Sequence, residues 1–130
     1  MILAYIEVRE GKIKKSSLEA LSEGKRRAAE LKTEANAVLV GHKVENLAPE
    51  VFPYGASKVY VLENSLLNNY STAAYAQALF SLVEETEPEI IFFSASSMGK
   101  DLAPRLAAKL GVTVATDCTK TRSKEGKLEV

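Results

Sequence analysis

The chain has 130 residues, the length of one ordinary domain with a single core. With 46% hydrophobic and 26% charged residues, its composition is that of a globular protein and excludes disordered and collagen-like classes. Seventeen basic side chains balance seventeen acidic ones, so the overall attraction expected of a nucleic-acid-binding protein is missing.

The cysteine and histidine content excludes further classes of protein. The single cysteine, Cys118, excludes an intrachain disulfide framework, and together with the single histidine, His42, it cannot supply a structural zinc site. Apolar runs such as residues 90–93 fall far short of the roughly 20 residues that cross a bilayer. Met1 is followed by neither a basic segment nor a cleavage site, so we expect no secretory signal, no membrane insertion and a reducing, cytoplasmic compartment.

The first third of the chain predicts a strand, a helix and a second strand. Residues 2–8 form an almost unbroken apolar run, typical of a strand covered on both faces. After a turn at Gly11, Ser16 or Ser17 is the expected cap of a helix with apolar residues on one face. Residues 37–40 predict the second strand.

The middle of the chain continues the alternation. Residues 44–51 predict one short helix, and residues 58–62 predict the third strand. Next comes the helix with the clearest periodicity, with a cap expected at Ser71 or Thr72 and an end before Pro88.

The last third supplies two more strands and a helix. Residues 89–93 predict a fourth strand, and residues 94–99 a loop of small residues. Because proline is best tolerated in the first turn, Pro104 indicates a helix that begins near Lys100 or Asp101 and is capped by Gly111. Residues 112–115 predict a fifth strand, and another strand begins at residue 128.

This regular alternation predicts an α/β fold. We expect one domain over residues 1–130, with three layers: a mostly parallel, Rossmann-like sheet and helices on both of its faces.

Ligands of open α/β sheets bind at the carboxyl ends of the strands, so the residues that follow the strands are the candidate site. These are Glu7, residues 41–42, residues 63–64 and residues 94–100. In the last stretch, the hydroxyls of Ser96 and Ser97, the backbone at Gly99 and the following helix N-terminus can face a phosphate or carboxylate, with Lys100 as the counter-charge. A loop that uses serine and glycine only for turn geometry and capping has the same composition.

Common catalytic and phosphate-binding motifs are missing. The chain has neither the G-x-x-x-x-G-K-[ST] loop nor the G-x-G-x-x-G fingerprint. His42 has no nucleophile implied beside it, and Asp117 would raise rather than lower the pKa of the Cys118 thiol. We therefore expect no metal site and no catalytic residues.

Five stretches of the chain, taken together and in order, form a pattern typical of one family. Four of them are ILAYIE at residues 2–7, VLVGH at residues 38–42, GASKVYV at residues 55–61 and TDCT at residues 116–119. The most specific stretch is SASSMGKDLAPRLAAKLG at residues 94–111. In wording and order they resemble the amino-terminal domain of the electron transfer flavoprotein alpha subunit. The resemblance covers residues 1 to 119 without a large gap.

The resemblance implies a fold of the adenine-nucleotide alpha-hydrolase group and a role as scaffold and beta-subunit interface. It further implies that the complex carries electrons, through FAD, from flavin dehydrogenases to an acceptor such as a quinone oxidoreductase. In that family FAD lies mainly in a carboxyl-terminal domain. No glycine- and serine-rich flavin-binding segment follows Thr119, so we expect that domain to be absent here and this chain alone to bind no FAD.

An alternative from a different class is a stand-alone module that binds an adenine nucleotide at Ser96, Ser97, Gly99 and Lys100. We also expect apolar surface without a partner to drive self-association of the chain.

Overall fold

A computed structural model describes residues 1–94, 96–110, 113–116, 122–124 and 127–129. Nine strands and four α-helices are assigned within these residues. The strands are β1 (Ile2–Ile6), β2 (Val8–Arg9), β3 (Lys12–Ile13), β4 (Ala35–Gly41), β5 (Val59–Glu63), β6 (Ile90–Phe93), β7 (Thr113–Thr116), β8 (Arg122–Lys124) and β9 (Lys127–Glu129). The helices are α1 (Lys15–Glu30), α2 (Ala48–Val51), α3 (Thr72–Thr86) and α4 (Ser97–Leu110), and short 3-10 turns are present at Glu45–Leu47, Phe52–Tyr54 and Ser65–Leu67.

Five parallel strands form the central sheet in the order β5-β4-β1-β6-β7. Strand β1 lies in the middle and all five of its residues are buried, which is why its sequence is an unbroken apolar run. Its residues alternate between two cores: Ile2, Ala4 and Ile6 pack on the α1 side, and Leu3 and Tyr5 pack on the side of α3 and α4. The predicted three-layer α/β fold with helices on both faces is confirmed.

The first predicted strand is shorter than expected. It ends at Ile6, and Val8 pairs instead with Ile13 in the antiparallel β2–β3 hairpin. The hairpin turns through Glu10 and Gly11, both at positive φ (50° and 75°). A single apolar run in the sequence therefore contributes residues to two sheets. Its hydrophobicity alone does not show where the first strand ends.

The predicted cap of the first helix is wrong. Helix α1 begins at Lys15 after Lys14, which makes no side-chain cap. Ser17 is instead buried, and its hydroxyl accepts a hydrogen bond from the backbone N–H of Glu7 at 2.9 Å. The hydroxyl satisfies a donor at the end of β1, where water cannot reach it.

Helix α3 follows the prediction at both ends. The Ser71 side chain accepts a hydrogen bond from Ala74 N, and the helix ends at Thr86, before Pro88. Glu87 closes it in the left-handed conformation.

Helix α4 begins one turn earlier than predicted, at Ser97 rather than at Lys100 or Asp101, so Pro104 lies in its interior. Pro104 is on the exposed side, where water can hydrogen-bond the carbonyl that the ring leaves free. Burial of Leu102, Ala103 and Leu106 anchors the other side of the helix. Packing therefore outweighs an interior proline that costs about 3 kcal/mol.

The remaining predicted elements have mixed outcomes. The fifth strand is present as β7, and the strand expected from residue 128 is present as β9, which pairs with β8. Gly111, expected as a cap, and Cys118 lie outside the described residues.

Candidate functional site: the crevice between β1 and β6

The sheet order creates a crevice at its centre. From β1 the chain proceeds through β4 and β5 on one side, whereas β6 and β7 lie on the other. The switch between these directions falls between β1 and β6, at the carboxyl ends of neighbouring parallel strands. Glu7 follows β1 there, and Ser94 follows β6.

Glu7 fills this crevice. Its side chain is fully buried, and its Oε1 accepts a hydrogen bond from the Ser96 hydroxyl. Its Oε2 lies 3.0 Å from Arg9 Nε in an ion pair, although without the alignment of a hydrogen bond. Its main chain is also held, because Glu7 O accepts from Lys14 N at 2.9 Å. A buried carboxylate thus sits where the fold usually offers space to a ligand.

Ser96 links this carboxylate to helix α4. Its hydroxyl oxygen accepts from Gly99 N at 3.0 Å, which makes Ser96 the cap of the helix. Gly99 is buried, and a Cβ built on it would collide with the Ser94 carbonyl oxygen. The close approach explains why a glycine is needed one turn into the helix.

The four residues predicted to bind an anion are therefore partly brought together. Ser96 and Gly99 face the crevice, but the Ser96 hydroxyl and the Gly99 N–H are already hydrogen-bonded within the protein. Lys100 is exposed on the helix, and Ser97 is the first residue of α4, with its side chain outside the described part. Binding of a nucleotide by these residues stays a prediction.

Beside the crevice lies an open cleft of about 800 Å³. One wall is the β2–β3 hairpin at residues 8–10, and the opposite wall is formed by residues 68–70 with Tyr75, Met98 and Asp101. Sequence reasoning did not identify this cleft. The available signal was that helices α3 and α4 follow strands, so their first turns lie at the same edge of the sheet as the strand ends.

A hydrogen-bonded cluster forms the far wall of the cleft. Asp101 accepts from the Tyr70 hydroxyl at 2.6 Å and also from the Thr72 hydroxyl. These two bonds, first that of Thr72 and then that of Tyr70, lower the pKa of Asp101. Burial, reinforced by the bond to Asp101, raises the pKa of Tyr70 to about 12. The Tyr70 ring also packs edge-on against Tyr75, with centroids 5.0 Å apart.

The other two inspected strand ends carry Glu63 and His42. Glu63 Oε1 accepts from Val44 N at 2.8 Å and from Glu45 N at 3.2 Å, so it caps the turn that leads into α2. His42 is half-buried, and its Nδ1 has no hydrogen-bond partner among the described residues. Neither residue lines the cleft.

Two further features restrict the chemistry of the described residues. No group of three His, Cys, Asp or Glu side chains among them could hold a metal ion. In the same part of the chain, no helix is both long and apolar enough to cross a membrane.

Comparison with known proteins identifies the family. Residues 2–130 match the electron transfer flavoprotein domain. The chain belongs to this family. The resemblance drawn from residues 94–111 and the other stretches is therefore confirmed, together with the fold that it implied.

Relatives of the chain are named as electron transfer proteins. It is 42% identical over 118 residues to the electron transfer flavoprotein subunit alpha of Thermoanaerobacterium thermosaccharolyticum, which covers 91% of this chain and 36% of that protein. The corresponding subunit of Clostridium acetobutylicum has the same identity, with 91% and 35% covered. The acryloyl-CoA reductase electron transfer subunit beta of Anaerotignum propionicum is also 42% identical, with 91% and 32% covered. The chain thus spans about a third of the length of these relatives.

Proposed function

We propose that this chain is the amino-terminal domain of an electron transfer flavoprotein alpha subunit. In the complete complex, it would act as a scaffold and as the interface to the beta subunit. The observation that carries this proposal is the family match over residues 2–130, supported by relatives named as alpha subunits. The complex would carry electrons from flavin dehydrogenases to an acceptor such as a quinone oxidoreductase, in a cytoplasmic compartment, as an electron carrier rather than an enzyme.

The described residues do not fit FAD. A dinucleotide needs donors for its pyrophosphate, but in the crevice the carboxylate of Glu7 already takes the Ser96 hydroxyl. The adjoining cleft places two carboxylates, Glu10 and Asp101, against a single guanidinium, Arg9. FAD supplies the redox chemistry of the family, and we infer that it is held by protein outside these residues.

In such a complex this domain would act as a rigid scaffold. Both faces of the sheet are closed by packed helices, and the central crevice is held by internal hydrogen bonds. A unit of this kind keeps its shape when a partner binds, which is what positioning of a cofactor elsewhere requires.

A stand-alone module that binds an adenine nucleotide is the second candidate. It is favoured by the 800 Å³ cleft beside the strand ends and by the N-terminus of α4 at the switch point. The carboxylate of Glu7 counts against it, because a phosphate would compete with that carboxylate for the same donors and would be repelled by it.

Two measurements on the purified chain separate the candidates. We expect a visible absorption spectrum without a flavin band, and isothermal titrations with AMP, ATP and FAD that release no binding heat. A stoichiometric flavin band would contradict the assignment of FAD to another domain. Heat at micromolar AMP or ATP that is lost in Ser96→Ala would favour the nucleotide module.

The beta-subunit interface has its own test. The chain is mixed with the beta subunit of the same source, and the molar mass of the mixture is measured by light scattering after gel filtration. A one-to-one complex is expected. Two separate peaks, at protein concentrations well above the dissociation constant expected of a stable complex, would contradict the interface role.

A further inference from the structure

The open cleft beside the crevice combines an aromatic surface with polar side chains on two walls. Its volume of about 800 Å³ lies within the range of about 300 to 1,000 Å³ that ligand sites usually have. Tyr70 lines the cleft, is 38% exposed and packs edge-on against Tyr75, and Val8 and Met98 add aliphatic surface. A ring-shaped ligand that covers Tyr70 would therefore remove apolar surface from water.

Arg9 supplies anchored hydrogen-bond donors on the hairpin wall. Its Nε lies 3.0 Å from Oε2 of the fully buried Glu7, and this ion pair fixes the guanidinium at one nitrogen. Neither of its two terminal nitrogens has a hydrogen-bond partner among the described residues. The Arg9 side chain is 49% exposed, so these nitrogens are available to an acceptor in the cleft.

Asp101 supplies an anchored acceptor on the opposite wall. The hydroxyls of Thr72 and Tyr70 both donate to its Oδ2, whereas its Oδ1 has no hydrogen-bond partner among the described residues. These bonds, first that of Thr72 and then that of Tyr70, hold the pKa of Asp101 below its ordinary value of 3.8, so the carboxylate is charged at neutral pH. One carboxylate oxygen is therefore free for a donor.

The charges around the cleft exclude an anion and favour a ligand without net charge. Glu10 and Asp101 bring two negative charges, and the positive charge of Arg9 is already balanced by Glu7. A phosphate beside Asp101 would be repelled, and a simple cation would leave the donors of Arg9 unused. A hydroxyl group suits both walls, because it accepts from a guanidinium and donates to a carboxylate.

We propose that this cleft binds a neutral sugar ring, with hydroxyls between Arg9 and Asp101 and one face of the ring against Tyr70. Such a ring carries adjacent hydroxyls on its edge and C–H groups on its faces, the two features that the cleft matches. Asn68 and Asn69 are exposed on the same wall as Asp101 and have amides that both donate and accept. A free sugar and the ribose of a nucleoside share this chemistry.

Isothermal titration of the purified chain with methyl glucoside, adenosine and AMP tests the proposal. We expect a dissociation constant of about 0.1 to 1 mM for at least one of the two neutral probes. AMP should bind at least about tenfold more weakly than adenosine, because its phosphate meets Glu10 and Asp101.

Each probe separates one outcome from the others. Binding of methyl glucoside supports a free sugar as the source of the ring, and binding of adenosine alone supports a nucleoside. No binding of either neutral probe at about 10 mM would overturn the proposal. AMP that binds as tightly as adenosine would also overturn it, since the cleft would then accept an anion.

Two variants connect binding to the proposed contacts. Asp101→Asn keeps the size of the side chain, removes its charge and should weaken binding about tenfold. Tyr70→Phe keeps the ring and removes one bond that anchors Asp101, so its effect should be smaller. Glu84→Gln is the matched control, because it neutralises an exposed carboxylate of α3 that does not line the cleft, and it should leave binding unchanged. Equal effects of Asp101→Asn and Glu84→Gln would count against the proposal.

Chemical-shift mapping of the wild type by NMR needs no variant. The backbone amide resonances of Arg9, Asn69 and Tyr70 should move when methyl glucoside or adenosine binds, while that of Glu84 should not. Binding without shifts at the first three residues would overturn the proposal, since the ligand would lie elsewhere. The proposed function would survive a failure to bind sugar, because it is tested by the flavin band and by the beta subunit.

Discussion

The crevice between β1 and β6 and the outer edge at β5 are opposites. In the crevice, the polar groups lie deep in the protein and are held by one another: Glu7 accepts from Ser96, and Ser96 accepts from Gly99. At β5, three residues turn their backbone groups outward beside half-exposed apolar side chains. The usual ligand position of the fold is thus filled from within, while the backbone groups that no described strand pairs lie at the margin of the sheet. Position in the sheet, and not the number of polar residues, separates the internally hydrogen-bonded crevice from this edge.

The largest effect is expected from opening the crevice. Glu7→Ala leaves Arg9 without its ion-pair partner and the half-buried Ser96 hydroxyl without its acceptor, and it empties a fully buried position, so it should lower the free energy of unfolding by about 3 kcal/mol. Urea unfolding measures this change. Glu19→Ala removes an exposed carboxylate from α1 and should stay within about 0.5 kcal/mol of wild type. Equal effects of the two changes would show that Glu7 does not hold the crevice together.

A smaller loss of stability is expected when a side-chain atom is added at Gly99, beside the crevice. Gly99→Ala pushes a Cβ into the Ser94 carbonyl oxygen and should cost about 2 kcal/mol. Gly24→Ala is the matched control, because it also adds a Cβ to a helical glycine, but 3.5 Å from Ile2 and Phe92. The control should stabilise the protein by about 0.5 to 1 kcal/mol through helix propensity. Thermal unfolding of the pair should therefore shift in opposite directions, and two parallel shifts would contradict the close approach at Gly99.

The cluster of Tyr70, Thr72 and Asp101 beside the crevice should contribute to the stability of the protein in a pH-dependent way. The pKa of Asp101 is lowered from its ordinary value of 3.8 in the folded state, so its stabilising contribution is present above that pH and is lost as the pH falls through the lowered pKa. Asp101→Asn should accordingly be less stable than wild type near neutral pH, and the difference should shrink in acid, as measured by urea unfolding at about pH 7 and about pH 3. In Tyr70→Phe one of the two hydrogen bonds is lost, and part of the pH dependence should remain. A difference that does not change with pH would exclude Asp101 as its source.

The smallest effect is expected at the β5 edge. Leu66→Ser removes a side chain that is 82% exposed and should change the stability of the monomer by less than about 0.5 kcal/mol. Its neighbour Leu67 is only 7% exposed, and Leu67→Ser should cost about 3 kcal/mol because the core loses a leucine. Dilute samples are needed, so that association does not contribute. A large loss in Leu66→Ser under these conditions would mean that this part of the edge is not free surface.

The overall fold could be predicted from the hydrophobic pattern of the sequence, because the central strands are covered on both faces. Residues 2–6 and 90–93 are fully buried, so they read as apolar runs. The start of α4 was missed because a rule about proline was applied without knowledge of packing. The function of Ser17 was missed for a related reason: its hydroxyl bonds a residue ten positions earlier in the chain rather than its own helix.

The sequence predicted where the candidate site lies, but not which of its residues contact each other. Strand ends pointed to Glu7 and to residues 94–100, and the structure brings Glu7 and Ser96 together. That Glu7 occupies the crevice could not be predicted, because the bond joins residues 89 positions apart. The Tyr70, Thr72 and Asp101 cluster has the same difficulty, since Tyr70 and Thr72 lie 31 and 29 positions before Asp101 in the chain.

The sequence alone determined the alternation of strands and helices and the family, because buried periodicity and the wording of residues 94–111 are local properties. Only the tertiary structure decided the order of the strands in the sheet. That order makes β1 the centre, β5 an edge and the junction of β1 and β6 the crevice. Strand order depends on which nonlocal surfaces bury each other best, and no single segment encodes that preference.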